Sequence, residues 1–261
     1  MSVDYSVADR VARVTLNRPE RMNAVDPATE AELEKVWSDI EARTDISCVV
    51  LTGAGEKAFC AGADLKGGDN GIEKSGLQYW SQSHPHGFGG IAYRKTMDVP
   101  LIARVNGFAL GGGFEMVLGC DIVVAADTAK FGLPEPRVGR MPLEGGMIML
   151  QRKIPHNLAM GVMLTGKRFT AAEIASYGLI NEVVPQAELD AAVQRWVDEI
   201  VACAPLSLRA IKQTVNRTAH LSPAEAQALR TPALIAALVS EDGNEGVKAF
   251  QEKRAPVWQG R

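Results

Sequence analysis

The sequence predicts an α/β fold, and two observations carry that prediction. Short apolar runs rich in β-branched residues alternate with longer stretches whose apolar residues recur at helical spacing. From about residue 190 onward the strand-like runs stop and helical stretches follow. With 261 residues the chain can bury a sizeable core. We therefore divide it into a mixed core, residues 1–190, and a helical region, residues 191–261.

Four brief apolar runs are predicted to be buried strands, because turn or polar residues bound each of them. They cover Val11–Leu16 and residues 47–51, 100–105 and 121–126. The helix between the first two has a readable start, since Asp26 can cap it and Pro27 suits its first turn. Its apolar face is predicted to contain Leu33, Val36, Trp37 and Ile40. The helical region is predicted to be broken near Pro205, Ser222-Pro223 and Asp242-Gly243.

Composition and charge exclude several classes of protein. A net charge of −3 and a pI near 5.9 provide no broad basic field, which argues against nucleic acid or an anionic membrane as the main partner. The four cysteines lack C-x-x-C spacing, and three lie in apolar surroundings, as expected for reduced thiols in the cytoplasm. No apolar run approaches the roughly 20 residues of a membrane span, and residues 1–10 lack the apolar region of a signal peptide. We expect a cytoplasmic protein.

Three consecutive glycines, residues 111–113, follow an apolar run and precede one carboxylate in an apolar segment. A helix that begins at Gly112 would direct its unpaired amides and positive dipole end at a bound oxyanion. Glu115 would lie one turn inside that helix, and apolar neighbours would raise its pKa towards neutrality. This segment is a candidate catalytic site. A carboxylate that merely stabilises a helix start is the structural alternative.

Residues 67–92 combine glycines with aromatic residues, including Trp80 and Phe88. They form either a wall of a substrate pocket or a surface loop, and the sequence favours neither interpretation. His84-Pro85-His86 has no acidic or cysteine partner at ligand spacing, so we predict no metal site there. The chain also lacks G-x-S-x-G, H-E-x-x-H and G-x-G-x-x-G motifs, which argues against a serine hydrolase, a zinc protease and a dinucleotide-binding dehydrogenase.

Several short motifs occur in an order that resembles the enoyl-CoA hydratase/isomerase, or crotonase, superfamily. They extend over nearly the whole chain: Leu16-Asn17-Arg18-Pro19, Ala61-Gly62-Ala63-Asp64, Asn106-Gly107 with the glycine triplet, Phe131-Gly132-Leu133-Pro134-Glu135, Thr165-Gly166 and residues 250–254. The resemblance implies a ClpP-like spiral of ββα units with two nearly perpendicular sheets. It also implies a helical C-terminal region that drives assembly into a homotrimer or a dimer of trimers.

The resemblance implies a role for each motif. The amides of Ala63 and Gly112 would form an oxyanion hole for an acyl-CoA thioester, and Glu115 and Glu135 would be the catalytic carboxylates. A loop carboxylate in a proline-rich turn is the alternative for Glu135. The expected CoA-binding residues are Arg18, Met22, Ala24, Ala61, Asp64, Leu65, Lys66 and, from a neighbouring subunit, Lys253. The expected acyl pocket contains Trp80, Phe88, Pro134 and Leu143. Coenzyme A belongs to the substrate, and no metal or redox cofactor is expected.

We predict an enoyl-CoA hydratase, a lyase that adds water reversibly to the C2=C3 bond of a trans-2-enoyl-CoA in fatty acid metabolism. The open alternatives are a Δ3,Δ2-enoyl-CoA isomerase, a carnitinyl-CoA dehydratase-like enzyme, and a catalytically silent protein that binds CoA or RNA. The acidic pI argues against RNA binding, and the glutamate pair argues against a catalytically silent protein. Many close hydratase relatives have a small, glycine-rich segment after the second glutamate, whereas residues 141–148 of this chain contain bulkier side chains and the additional carboxylate of Glu144. This departure argues against a standard straight-chain acyl group.

Overall fold

Two β-sheets organise the chain in the computed structural model, which describes residues 1–64, 77, 80–81 and 84–261. The strands are β1 (Val3–Ala8), β2 (Val11–Leu16), β3 (Cys48–Gly53), β4 (Ala58–Cys60), β5 (Leu101–Val105), β6 (Phe108–Leu110), β7 (Ile122–Ala126), β8 (Lys130–Gly132), β9 (Phe169–Thr170) and β10 (Glu182–Val184). The larger sheet has the order β1-β2-β3-β5-β7-β10 and the smaller one the order β4-β6-β8-β9.

From β3 to β8, consecutive strands alternate between the two sheets, so the chain advances as a spiral. β3, β5 and β7 lie side by side in the larger sheet, and β4, β6 and β8, which follow them in sequence, lie side by side in the smaller sheet. All of these neighbouring pairs are parallel, whereas β1 pairs antiparallel with β2 and β9 with β8. The predicted ββα spiral is confirmed.

Helices connect the strands and then continue alone after β10. They are α1 (Pro27–Ala42), α2 (Gly112–Gly119), α3 (Gly146–Lys153), α4 (His156–Thr165), α5 (Ala171–Ser176), α6 (Leu189–Val201), α7 (Pro205–Thr218), α8 (Pro223–Ala228), α9 (Pro232–Leu238) and α10 (Glu241–Glu252). α1 starts as predicted: the Asp26 carboxylate accepts a hydrogen bond from the Thr29 amide at 2.8 Å, and Pro27 occupies the first turn. No described helix is long and apolar enough to cross a membrane.

The larger sheet has apolar cores on both of its faces. Along β3, Val49 and Leu51 point into the first core, which also contains Trp37 of α1 and the α2 side chains, while Val50 points into the second. The second core is closed by α6, through residues such as Val193. Burial on both faces explains why the central strands are continuous apolar runs in the sequence.

Some elements differ from the sequence-based expectations. β1 and the two- and three-residue strands were not predicted, because β1 alternates apolar with polar residues and the others are too short to show a period. The helix break predicted near Asp242-Gly243 lies two residues earlier, since α9 ends at Leu238 and α10 begins at Glu241 with the Ser240 hydroxyl as its cap. Asp242 is buried because the C-terminal tail folds over it: its carboxylate accepts hydrogen bonds from the amides of Gln259 and Gly260, at 2.7 and 2.9 Å.

The cysteines follow the sequence-based prediction. All four are free thiols, and Cys48, Cys60 and Cys120 are buried whereas Cys203 is exposed. Burial raises the pKa of each buried thiol to about 12. These three side chains therefore act as small apolar core residues rather than as reactive thiols.

Candidate active site

The N-terminus of α2 is held directly against the end of β4. Gly111 adopts φ 55° and ψ −128°, a backbone conformation that favours glycine, and this turn lets the chain leave β6 and start the predicted helix at Gly112. A Cβ atom at Gly113 would lie 2.0 Å from the carbonyl oxygen of Cys60. Glycine at position 113 is therefore required for the close approach of helix and strand.

The amides of Ala63 and Gly112 lie on neighbouring segments, as the oxyanion-hole prediction requires. A Cβ atom at Gly62 would lie 3.2 Å from the Gly112 amide nitrogen. The Ala63 segment is fixed beside Val25, whose amide donates to the Gly62 carbonyl and whose carbonyl accepts from the Asp64 amide, both at 2.9 Å. Neither the Ala63 nor the Gly112 amide donates to any other residue that the structure describes. Two unused donors side by side suit one developing oxyanion.

Glu115 is enclosed by protein, with only 2% of its surface exposed. Its Oε1 atom accepts a 2.7 Å hydrogen bond from the Gly146 amide at the start of α3. Burial, the largest effect, together with the charges of Glu135 and Glu144 raises the pKa of Glu115 to about 8, although the amide hydrogen bond opposes the shift. The predicted upward shift is confirmed, and the carboxyl group can hold a proton at neutral pH.

Glu135 lies next to the glycine turn, close enough for its charge to act on Glu115. It starts the 3-10 helix Glu135–Val138 after β8, and a Cβ atom at Gly111 would lie 2.9 Å from its Oε1 atom. Burial raises the pKa of Glu135. Its Oε2 atom is buried and has no hydrogen-bond partner among the described residues. The two glutamates thus converge on the α2 N-terminus, and each is pushed towards its protonated form.

The predicted acyl-pocket residues occupy three places near this centre. Phe88 packs on the α2 N-terminus, where a Cβ atom at Gly112 would come within 2.5 Å of its ring. Trp80 and Leu143 line a cavity of about 290 Å³ that also contains Glu144. Pro134 is half-buried immediately before Glu135.

The predicted CoA-binding residues partly assemble on one loop. The Ala61 amide donates to the Met22 carbonyl at 3.1 Å, and an Arg18 guanidinium nitrogen donates to the Ala24 carbonyl at 2.7 Å. The same guanidinium pairs with Asp64 at 2.9 Å and with Asp26 at 3.0 Å. The charge of Arg18 is balanced by these two carboxylates within the protein, so in this structure its side chain stabilises the loop.

Three further residues were predicted to bind CoA. Leu65 and Lys66 lie outside the described residues. Lys253 ends α10 in the left-handed conformation and is exposed. Within the described part of the chain, no contact brings Lys253 to the loop, so the prediction that it serves a neighbouring subunit stays a prediction.

Two contributors to this site were not predicted from the sequence. Gly146 supplies the amide that binds Glu115, and the fully buried Asn106 fixes the turn after β3, because its side-chain amide donates to the carbonyls of Gly53 and Ala58 at 2.9 and 3.1 Å. Asn106-Gly107 was recognisable as a motif, but its hydrogen-bonding role was not. A backbone amide such as that of Gly146 leaves no side-chain signal in a sequence.

Comparisons with known proteins agree with this geometry. A model of the enoyl-CoA hydratase/isomerase family matches residues 7–261. The chain belongs to the enoyl-CoA hydratase/isomerase family. It is similar to an (E)-benzylidenesuccinyl-CoA hydratase of Thauera aromatica, with 40% identity over the full length of both chains. It is also similar to a carnitinyl-CoA dehydratase of Shigella flexneri, with 38% identity over 96% of this chain and 95% of that relative.

Solved structures identify the same fold. The enoyl-CoA hydratase of Bacillus anthracis superposes with a TM-score of 0.91 and 31% identity, and the alignment covers all of both chains. The enoyl-CoA hydratase of Mycobacterium smegmatis superposes with a TM-score of 0.89 at 29% identity over 99% of each chain. The spiral of this family member is the crotonase fold.

Proposed function

We propose that this enzyme catalyses the reversible addition of water to the C2=C3 bond of a trans-2-enoyl-CoA. The observation that carries the proposal is the convergence of Glu115 and Glu135, both with raised pKa values, on a glycine turn beside two unused amides. The named hydratase and dehydratase relatives support a hydro-lyase. Reversed, the same site would remove water from a 3-hydroxyacyl-CoA.

In the proposed mechanism, the thioester oxygen accepts hydrogen bonds from the amides of Ala63 and Gly112. The ionised member of the glutamate pair takes a proton from water while the water oxygen bonds to C3. The electron pair of the C2=C3 bond moves towards the thioester and forms an enolate, which the two amides stabilise. The protonated member then delivers its proton to C2. Water has been added, and the pair has exchanged its protonation states.

This scheme requires one proton to be shared by the two carboxyl groups at neutral pH. Burial and the mutual repulsion of Glu115 and Glu135 favour that state, because two neighbouring carboxylates ionise in separate steps. The titration belongs to the pair rather than to either residue alone. Neither a metal nor a redox cofactor enters the scheme, because the thioester itself makes C3 electrophilic.

CoA would lie along the loop that contains Arg18, Met22 and Ala24, with Ala61 and Asp64 on its other side. Lys66 and, from a neighbouring subunit, Lys253 would contribute positive charge for the phosphates. The exposed apolar side chains of α9, including Ile235 and Leu238, support assembly into trimers or dimers of trimers. We place the enzyme in the cytoplasm and in the metabolism of acyl-CoA thioesters, including those of fatty acids.

The ultraviolet band of the conjugated enoyl thioester provides the direct test. Purified protein should remove this band from crotonyl-CoA or from longer, branched or aromatic enoyl-CoAs. Glu115→Gln and Glu135→Gln should each lower the rate about 100- to 10,000-fold, the range expected for loss of a general acid or base, while acyl-CoA binding persists. The exposed Glu188→Gln is the matched control and should retain activity.

The variants also separate hydratase from isomerase chemistry. An isomerase needs one base to move a proton between C2 and C4 and adds no water. Full isomerase activity in Glu115→Gln, combined with no hydration by the unmodified enzyme, would therefore overturn the proposal. An unchanged hydration rate in Glu135→Gln would show that Glu135 has a structural rather than a catalytic role.

A further inference from the structure

Lys153 is a half-buried lysine at the end of α3, and the proposed hydration chemistry does not use it. Its Nζ atom donates a 2.8 Å hydrogen bond to the carbonyl of Cys120, the residue that follows α2. The C-terminus of a helix attracts cations, because its last carbonyl groups lack partners within the helix and its dipole is negative there. The ammonium group therefore binds the helix whose first turn contains Gly112 and Glu115.

The opposite end of α3 contacts the reaction centre. Gly146, the first residue of α3, donates to Oε1 of Glu115 at 2.7 Å. An eight-residue α-helix is about 10 Å long, so α3 has polar contacts with the α2 segment at two well separated points. Two contacts separated by this length fix the direction of α3 as well as its position along α2.

Apolar packing holds α3 in place with few side chains. Among residues 146–153, all of which the structure describes, the buried ones are Gly146 and Leu150. Met147 and Ile148 are exposed. Because glycine has no side chain to pack, the polar contacts at the two ends have a large share in positioning this helix. Loss of one of them would let α3 shift and move the Gly146 amide relative to Glu115.

The acceptor of the ammonium group is itself fixed. Asp121 follows Cys120, and its Oδ2 atom accepts hydrogen bonds from the Leu101 amide at 2.8 Å and from Nζ of Lys212 at 2.6 Å. Lys212 also donates to the Val99 carbonyl at 2.8 Å. These contacts join the end of α2 to β5 and α7. The Cys120 carbonyl is therefore a stable point to which the end of α3 can be attached.

A charged lysine is costly in this position. Burial, the largest effect, and the charge of Lys212 lower the pKa of Lys153, whereas Cys120 and Asp121 oppose the shift. Asp121 is already paired with Lys212. An apolar side chain would fill the same half-buried space without the cost of desolvating an ammonium group. The lysine is therefore better explained by its hydrogen bond to α2 than by packing.

The Gly146 amide acts on the protonation of Glu115. Burial, the largest effect, and the charges of Glu135 and Glu144 raise the pKa of Glu115. The hydrogen bond from Gly146 lowers that pKa, because it stabilises the ionised carboxyl group. The position of α3 therefore helps to set the pH at which the glutamate pair loses its shared proton.

We propose that Lys153 is a positioning residue for Glu115: by holding the end of α3 on α2, it keeps the Gly146 amide on the Glu115 carboxyl group. This inference deepens the proposed function and rests on it for the catalytic role of Glu115. Lys153 acts through α3 and takes no part in the chemical steps. Its removal should change the titration of the glutamate pair, an effect that a lysine important for stability alone would not have.

Lys153→Met tests the proposal, because methionine keeps an unbranched side chain and removes the ammonium group. We expect the alkaline limb of the pH profile of kcat/KM for crotonyl-CoA to move up by about 0.5–1 pH unit, as weakening of a hydrogen bond to a charged group should produce. Lys153→Arg, which can still donate to the Cys120 carbonyl, should restore the limb of the unmodified enzyme. An unchanged alkaline limb in Lys153→Met would overturn the proposal, even if that variant is less stable.

Arg152→Met is the matched control. Arg152 is exposed and directly precedes Lys153, and its guanidinium group donates to the Ile148 carbonyl within α3. The variant therefore removes one positive charge from the same end of α3 while the hydrogen bond to Cys120 remains. Its alkaline limb should stay where it is in the unmodified enzyme. A shift as large as that of Lys153→Met would assign the effect to the lost charge and would contradict the proposed positioning.

Hydrogen exchange separates a failure of this inference from a failure of the proposed function. Mass spectrometry of the substrate-free enzyme measures the protection of the Gly146 amide without turnover. Faster exchange at Gly146 in Lys153→Met than in Arg152→Met supports the positioning of α3 even if no enoyl-CoA is hydrated. Equal protection in the two variants rejects it even if crotonyl-CoA is hydrated rapidly. If Lys153→Met does not fold, Lys153→Gln, which has a shorter and neutral donor, takes its place in both comparisons.

Discussion

Helix α2 and the C-terminal helices α8 and α9 are rich in small and apolar residues, yet they occupy opposite environments. Residues 112–118 of α2 are all buried, including the carboxylate of Glu115. In α8 and α9 no residue is buried, and Leu238 at the end of α9 is 75% exposed. The first helix is enclosed by the spiral, whereas the second region presents its apolar side chains outward.

The difference shows that burial, rather than helical composition, creates the candidate active site. Enclosure removes water from Glu115 and raises its pKa, and it aligns the α2 amides with Ala63 and Glu135. Asp242 in α10 is buried too, but the amides of the C-terminal tail bind both of its oxygens. That carboxylate is used to fix the tail, whereas the Glu115 carboxylate accepts a hydrogen bond from the amide of Gly146 at the start of α3.

Substitution of two helical glycines should give the largest difference in stability between an enclosed and an open position. Gly113→Ala should destabilise the protein by roughly 3 kcal/mol or more, because the new Cβ would meet the Cys60 carbonyl at 2.0 Å. Gly161→Ala in α4 should stabilise it by about 0.5–1 kcal/mol, since nothing lies within 4 Å of the new Cβ. Urea unfolding measures both, and similar effects would mean that α2 is not held tightly on β4.

The oxyanion role of Gly112 is tested by comparing proline with alanine. Both substitutions add a Cβ that meets the Phe88 ring at 2.5 Å, but only proline removes the amide hydrogen. Among folded variants, Gly112→Pro should therefore hydrate crotonyl-CoA about 100- to 1,000-fold more slowly than Gly112→Ala. Equal rates would show that the amide does not stabilise the transition state.

The buried carboxyl of Glu115 should make stability depend on pH. Its pKa is about 8 in the folded protein and close to the ordinary value of 4.5 in the unfolded chain, so the folded state binds more protons between these values. The free energy of unfolding should consequently fall as pH rises from 5 to 9, by an amount on the order of a few kcal/mol. Urea midpoints for Glu115→Gln should lack this component and those for Glu188→Gln should keep it. Parallel pH profiles for all three proteins would contradict the assigned burial effect.

The smallest expected effect on the single chain lies in the open region. Leu238→Ser should change the free energy of unfolding of an isolated chain by no more than about 0.5 kcal/mol, because the side chain is exposed. The same substitution should weaken self-association, which sedimentation velocity would detect as a shift to smaller species. Retention of the full assembly would remove Leu238 from the proposed subunit interface.

Much of the fold could be predicted because central strands and capped helices have strong local signals. The runs at β2, β3, β5 and β7 were recognised to within about two residues. The edge strand β1 and the short strands of the smaller sheet were missed, because their pairing depends on neighbours distant in sequence. The family resemblance, rather than local pattern, supplied the spiral arrangement.

The sequence by itself determined that α2 begins at Gly112, that Glu115 lies one turn inside it, and that three cysteines belong to the core. These features follow from glycine conformations and local apolar patterns, which act over a few residues. Only the tertiary structure decided that Glu135 approaches Gly111, that Gly146 donates to Glu115, and that Glu144 lines a cavity with Trp80. Those contacts join segments up to about 60 residues apart in the sequence. The burial of the carboxyl groups between these segments sets their protonation, and no local sequence pattern encodes that burial.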